Sequence, residues 1–502
     1  MKAAFLSRLP PATPVTRSAY EAQEPALREA LLDAQYDLWE ACRFPVIVLV
    51  EGFDGAGKSE TLNLLNEWMD PRHIRTRAFA PPTREERRMP ALWRYWRALP
   101  PRGRIGLLAA AWYSEALRNR AFGSLGRAQY HACLERIARF ERMLAGEGAL
   151  IVKFWFHLSK SGQKQRLRTL QKDPLTRWRI RDEDWEHYRR HGRFLKAAEA
   201  AMRATSTVEA PWLVVDSADE QYRNLAVGKT LLAAMRARLD AAPTKRRHAA
   251  PPRRKAPDAL AAVDLSVRLE RRRYEEALDR LQARLNRLSR SPALRKRSVV
   301  LVFEGQDAAG KGGAIRRITR ALDARQYETI PVAAPTDEEK AQPYLWRFWR
   351  HVPARGRFAI FDRSWYGRVL VERVEGFASP GEWQRAYGEI NDFEAQLGQA
   401  GAIVVKFWLA ISKDEQARRF EERRETAFKR FKITPEDWRN RAKWRAYEQA
   451  VNEMVERTST PSAPWTLVAA DDKLHARIEV LATLCNRLAR ELDGDSATAP
   501  GR

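Results

Sequence analysis

Lys311 closes a glycine-rich run, Gly305-Gln306-Asp307-Ala308-Ala309-Gly310-Lys311-Gly312-Gly313. Glycines at this spacing let successive backbone N–H groups turn inward on an oxyanion. A helix starting there adds the favourable end of its dipole. The spacing G-x-x-x-x-G-K is the P-loop arrangement, in which the lysine reaches the outer phosphates. Gly305, Ala309, Gly310, Gly312 and Gly313 are therefore read as phosphate-cradling, and Lys311 as the cation on the transferred group. Gly312 stands where a Ser or Thr hydroxyl would bind Mg²⁺, so Asp307 is read as the replacement ligand. Further on, residues 357–368 read RFAIFDRSWYGR. An apolar strand ending in an aspartate is the Walker B form, whose carboxylate holds Mg²⁺ beside the P-loop. Asp362 takes that role. Arg363 follows directly, placed to neutralise charge on a phosphoryl group in transfer.

These residues need a strand before the loop and a helix after it. The run VVLVF at 299–303 is apolar and rich in β-branched residues, as a buried strand is, and a helical pattern opens at Ala314. The same arrangement occurs earlier: residues 46–59 read VIVLVEGFDGAGKS. Lys58 and Lys311 lie 253 residues apart, as do Trp93 and Trp346, Trp112 and Trp365, Lys153 and Lys406, Trp185 and Trp438, and Pro211 and Pro464. One register held that far means two copies of one domain.

The first loop, with Ser59 after its lysine, fits the textual P-loop better. The strand that follows argues the opposite. Where the second copy has Asp362, Arg363 and Ser364, the first has Ala109, Ala110 and Ala111, while Trp112 and Tyr113 persist. A phosphoryl-transfer site without its metal carboxylate loses the electrostatics that supply most of the catalysis. The first copy is read as an inactive scaffold, packed on the second across a pseudo-two-fold surface. Asn224 in place of Arg477 reads as a further loss.

From Asp414 to Arg445 the second copy is helical and very basic, with Arg418, Arg419, Arg423, Arg424, Lys429, Arg430 and Lys432. Leu170, Gln171 and Thr176 stand opposite Arg423, Arg424 and Lys429. This segment is expected to be a lid closing on phosphates, with Arg423 and Arg424 as phosphate ligands. The runs at 151–158 and 403–411 read as central strands, with Lys153 and Lys406 expected at a strand end. A last strand follows Pro464. Residues 92–104 and 345–357 interleave Trp and Arg as an amphipathic helix. Arg102 and Arg355, after it, are candidates to face the phosphate site. Residues 19–38 read as one helix, matched by the stripe Tyr274, Leu278, Leu281, Leu285 and Leu288.

Boundaries follow from composition: a first domain over 1–240, a Pro/Ala/basic linker at 241–258, the catalytic domain over 259–493 and a loose tail at 494–502. The chain of 502 residues carries 90 Lys and Arg against 64 Asp and Glu, a formal net charge of +26. Such an excess points to a polyanionic partner. No apolar run is long enough for a membrane span, and no signal-peptide pattern opens the chain. Cys42, Cys133 and Cys485 show neither metal spacing nor a disulfide framework, which fits a reducing cytoplasm.

The motifs GQDAAGKGG (305–313), FDRSWYGRVLVERVEGF (361–377), KFWLAISKDEQ (406–416) and APWTLVAADDK (463–473) resemble the polyphosphate kinase 2 family. The likeness spans both copies, and DRSWYGR with the duplication resembles its two-domain branch. It implies an α/β P-loop kinase fold of thymidylate kinase type: a parallel sheet with flanking helices and a helical lid, duplicated in tandem. It implies transfer of a phosphoryl group from inorganic polyphosphate to AMP, giving ADP, with Mg²⁺. It adds Arg368 and Arg373 to Asp307, Lys311, Asp362 and Arg363 as site residues. Ala314, where relatives often carry Thr, departs from the pattern. Nucleic acid is then not expected as a partner, and a homo-oligomer stays open. Two other readings remain for the residues alone: an ATP-dependent nucleotide or polynucleotide kinase, or a basic nucleic-acid-binding protein with relic P-loops.

Overall fold

The computed structural model describes residues 5–241, 257–426 and 435–494. Most of the linker, all of the tail but Gly494, and Lys429, Arg430 and Lys432 lie outside the described residues. The chain divides into two compact units. Unit 1 is Met1–Thr83, Arg94–Lys245 and Thr336–Trp346; unit 2 is Arg84–Trp93, Arg246–Pro335 and Arg347–Arg502.

Each unit is built on a five-stranded parallel sheet. In unit 1 the strands are β1 (Val46–Gly52), β2 (Ile74–Ala78), β3 (Ile105–Ala109), β4 (Leu150–His157) and β5 (Trp212–Asp216), in the order β2-β3-β1-β4-β5. In unit 2 they are β6 (Ser298–Gly305), β7 (Tyr327–Pro331), β8 (Phe358–Asp362), β9 (Ala402–Ala410) and β10 (Trp465–Ala469), in the order β10-β9-β6-β8-β7. The central strands are apolar because helices cover both faces of a parallel sheet. β2 and β7 are edge strands; their sequences, IRTRA and YETIP, carry no apolar run.

Lys406 sits in mid-strand on β9, not at its end, and is wholly buried. Its amine is held by Glu394 Oε2 at 2.8 Å, Thr458 O at 2.7 Å and Tyr366 Oη at 2.8 Å. Lys153 repeats this with Glu141 and Thr205. A buried cation persists only when paired and hydrogen-bonded in this way, so both lysines are structural.

The Trp/Arg segments form only short helices, Trp93–Trp96 and Trp346–Trp349. In the first, Pro100 and Pro101 forbid continuation. Arg102 and Arg355 precede β3 and β8, at the N-terminal edge of each sheet. The loops that could hold phosphate lie at the opposite, C-terminal edge, and neither arginine lines the cavities described below. Residues 19–38 form two helices, Arg17–Glu21 and Glu24–Ala41, because Pro25 opens the second. Trp93, Trp112 and Trp155 are buried, whereas Trp185 and Trp212 are half-buried.

Candidate active site

β6 ends at Gly305, and the helix Lys311–Thr319 begins where the glycine loop finishes. Gly310 caps that helix at φ 107°, a conformation open chiefly to glycine. β8 lies beside β6 with Phe303 paired to Asp362, so the aspartate emerges next to the loop. β9 flanks β6 on the other side. The site therefore lies at the carboxyl ends of the strands, where connections leave the central strand in opposite directions.

Lys311, Asp307, Asp362, Arg363, Ala309, Gly310, Gly312 and Gly313 all line one cavity of about 600 Å³. Arg316, Arg419, Arg423, Lys473 and Arg477 line it too, which makes its wall strongly cationic. Lys311 Nζ donates to Gly305 O at 2.8 Å and Gln306 O at 3.3 Å. Burial, and then the charge of Arg363, push its pKa below the usual lysine range. Arg363 Nη2 donates to Asp307 Oδ1 at 3.0 Å, and Asn440 Nδ2 donates to the other carboxylate oxygen at 2.9 Å. Arg363 has φ 65°, a left-handed conformation that a non-glycine residue adopts at a cost. Its counterpart Ala110 keeps φ 50°.

A second cavity, of about 120 Å³, shares Asp307 and Arg363 with the first, and Gly305 lines it. Its other walls include Leu370, Val371, Trp408, Trp444, Tyr447 and Val451. The two spaces thus meet at one carboxylate and one guanidinium, one cationic and the other largely apolar and aromatic.

Other expected residues stand elsewhere. Arg424 pairs with Glu421 and lines neither cavity. Arg368 pairs with Glu372 at 2.8 Å and Glu382 at 3.7 Å. Arg373 donates to Glu453 Oε2 at 2.7 Å and Tyr387 Oη at 2.9 Å, under the face of Trp383. These pairs absorb both arginines, and neither lines the cavities.

Arg419 is 2 % exposed. Its Nη1 donates to Ala308 O at 2.9 Å and Ala309 O at 3.1 Å; its Nη2 donates to Ala470 O at 2.6 Å and Asp471 O at 2.9 Å. It therefore ties the P-loop to the end of β10. Glu304, buried on β6, accepts from Ser364 Oγ at 2.8 Å, and burial raises its pKa. Asn440 and Glu304 carry no signal in the sequence, since neither sits in a motif with a known chemistry.

In unit 1 the loop keeps its form. Lys58 Nζ donates to Gly52 O at 2.8 Å and Phe53 O at 2.9 Å. Asp54 meets His187 Nδ1 at 2.6 Å, where Asp307 meets Asn440. The charge of Lys58, 3.6 Å away, with the His187 contact outweighs burial and lowers its pKa to about 2. Glu51, buried beside Ser114, has its pKa pushed up to about 7 by burial. The loss of arginine at Asn224 is offset next door. The Arg223 guanidinium lies against Gly57, where an added Cβ would fall 2.0 Å from Nη1. Ala476 is the matching residue in unit 2.

A parallel sheet carrying a P-loop, a strand-end aspartate and a neighbouring arginine defines a P-loop phosphotransferase. The family profile for polyphosphate kinase 2 matches residues 15–243 and 268–495. The chain belongs to that family, with two tandem copies of its domain. It is 54% identical over 474 residues to the polyphosphate:AMP phosphotransferase of Pseudomonas aeruginosa, covering 94% of this chain and 96% of that one. It is 38% identical over 473 residues to the polyphosphate:AMP phosphotransferase of Acinetobacter johnsonii, covering 93% and 96%. A crystal structure of a polyphosphate kinase 2 from Pseudomonas aeruginosa PA01 superposes with a TM-score of 0.88 at 51% identity, covering 96% of this chain and 98% of that one.

Proposed function

We propose that this chain transfers the terminal phosphoryl group of inorganic polyphosphate to AMP, giving ADP and a chain one phosphate shorter. One observation carries the reading: in unit 2 a cationic cavity and an aromatic-walled cavity meet at Asp307 and Arg363. The cationic space suits a phosphate chain, held electrostatically as basic grooves hold other polyanions. The apolar space suits the adenosine of AMP.

A phosphate oxygen of AMP attacks the terminal phosphorus. The bond from that phosphorus to the bridging oxygen breaks, and its electron pair stays on the shortened chain. The attacking oxygen is already ionised at neutral pH, so no general base is needed. The loop N–H groups and Lys311 hold the transferred group. Arg363 neutralises charge as it spreads over the equatorial oxygens.

Asp307 and Asp362 offer hard oxygen donors on one wall, and the Asp362 carboxylate accepts no hydrogen bond among the described residues. Two carboxylates suit Mg²⁺, which takes its remaining ligands from phosphate and water. Bound there, Mg²⁺ would supply charge neutralisation at the donor and acceptor oxygens. Arg423, which lines the cationic wall, would serve as a phosphate ligand. No described helix is long and apolar enough to cross a membrane. The cysteines are free, in keeping with a cytoplasmic setting.

The test is incubation of the chain with AMP, polyphosphate and Mg²⁺ in the absence of ATP, followed by nucleotide chromatography. ADP should appear in proportion to polyphosphate consumed. Transfer from ATP alone, with none from polyphosphate, would sink the reading in favour of an ATP-dependent kinase.

A further inference from the structure

We infer that the P-loop of unit 1 is a phosphate-chain binding site that does no transfer. The ligand class is inorganic polyphosphate, and nucleotides are excluded.

The loop retains what binds an oxyanion. Gly55 and Gly57 hold φ 79° and 84°, and the helix Lys58–Trp68 starts directly after them. Arg223, 2 % exposed, brings its guanidinium against Gly57. Among the described residues its Nε is buried without a hydrogen-bond partner, and its Nη2 reaches Asn224 Oδ1 at 3.3 Å and the exposed Glu220 at 3.6 Å. A buried guanidinium short of acceptors is costly unless an anion completes it. Selection on folding alone would favour an apolar residue here, and Ala476 fills the matching place in unit 2. Arg223 instead restores the charge that Asn224 lacks.

The loop has also lost what transfer needs. Ala109 and Ala110 stand where Asp362 and Arg363 do, so the strand-end carboxylate that shares a wall with Asp307 in unit 2 has no counterpart for Asp54.

Nucleotide is excluded by what fills the neighbouring space. In unit 2 the aromatic-walled cavity has Gln306 and Trp444 among its walls. Their counterparts in unit 1, Phe53 and His191, stack on each other with centroids 4.1 Å apart and planes 11° apart. Both are buried. Phe122 and Phe194 pack on His187, which holds Asp54. Rings occupy the place a nucleoside would take, while the loop side keeps its cations.

This site is separate from the transfer site, and its readout is binding, so its failure leaves the proposed reaction untouched. The probe is tripolyphosphate, titrated calorimetrically into the full chain carrying Lys311→Met, with a metal chelator present. Binding should persist there, and adding Arg223→Gln should weaken it about tenfold or more, as loss of a charge-assisted contact does. ADP should show no binding that Arg223→Gln alters. Circular dichroism and melting establish that each variant is folded. Should Arg223→Gln fail to fold, Lys58→Met, at a half-exposed position, should give the same loss. Tripolyphosphate affinity unchanged in folded Arg223→Gln or Lys58→Met overturns the site. ADP binding that depends on Arg223 overturns the exclusion of nucleotides.

Discussion

Lys311 and Lys58 sit in loops of one form, hydrogen-bonded to matching carbonyls. Only Lys311 shares its cavity with a strand-end aspartate, Asp362, and the arginine after it, Arg363; Ala109 and Ala110 hold those places for Lys58. Lys311→Ala should therefore abolish ADP formation although Lys58 is intact; residual transfer above a few per cent would mean that unit 1 is also active. Asp307 carries a second expectation, because Gly312 supplies no hydroxyl. Asp307→Asn should lower kcat about a hundredfold or more and raise the Mg²⁺ concentration needed for half-maximal rate. Normal activity with normal Mg²⁺ dependence would show that the loop carboxylate is not a ligand. Glu51 offers a pH test. Its folded pKa is raised from 4.5 to about 7 by burial. The native state then binds more protons than the unfolded state between those values, and stability falls as pH rises through that window. Glu51→Gln should leave melting unchanged near pH 4.5 and raise stability by up to about 3 kcal/mol at pH 8. Equal effects at both pH values would show that Glu51 titrates normally.

The elements that were legible in the sequence are those with an unmixed apolar signal. β1, β4, β6, β8, β9 and β10 read directly, as did the P-loop and the strand-end aspartate. The edge strands β2 and β7 did not, since most of each is exposed and neither carries an apolar run. The Trp/Arg segments read as longer helices because the tryptophans fall at helical spacing; the proline pair cuts the first short. Arg419 read as one more lid charge. Its real position follows from the helix Lys413–Glu425 turning that one face inward, which composition does not reveal. Arg223 was missed because the arginine moved one residue along the helix, and a fixed register reports only the loss at Asn224. Arg419 yields a prediction at this scale. It acts through the loop carbonyls, so it is a positioning residue. Arg419→Met leaves buried acceptors without donors, at a cost of roughly 3 kcal/mol. Well below the melting temperature, kcat should still fall at least about tenfold while KM for AMP stays within about twofold, and Arg419→Lys should recover part of the rate. A variant that loses stability but keeps kcat would make Arg419 purely structural.

At the scale of the whole chain, the compact units do not coincide with the repeats. Unit 1 includes Thr336–Trp346 from the second repeat, and unit 2 includes Arg84–Trp93 from the first. These are matching segments at the 253-residue offset. Within unit 1, Arg102 N donates to Ala341 O at 2.9 Å and Gln342 Nε2 donates to Leu99 O at 3.3 Å. Tyr344, Leu345 and Trp346 are each under 9% exposed. Cutting the chain between the repeats removes one such segment from each unit and strands the other. Burial of three large apolar side chains is worth roughly 1.5–3 kcal/mol each, a large share of a typical domain's net stability. A fragment of residues 259–502 keeps Asp307, Lys311, Asp362 and Arg363 but lacks 84–93. It should melt at lower temperature than the full chain, self-associate in sedimentation, and lose most of its transfer activity. Adding residues 1–258 as a separate chain should restore a share of both stability and activity by supplying the missing segment. A monomeric fragment with full activity and the melting temperature of the intact protein would show that the first repeat contributes no structure the second needs. The persistence of the first repeat would then rest on its phosphate site alone.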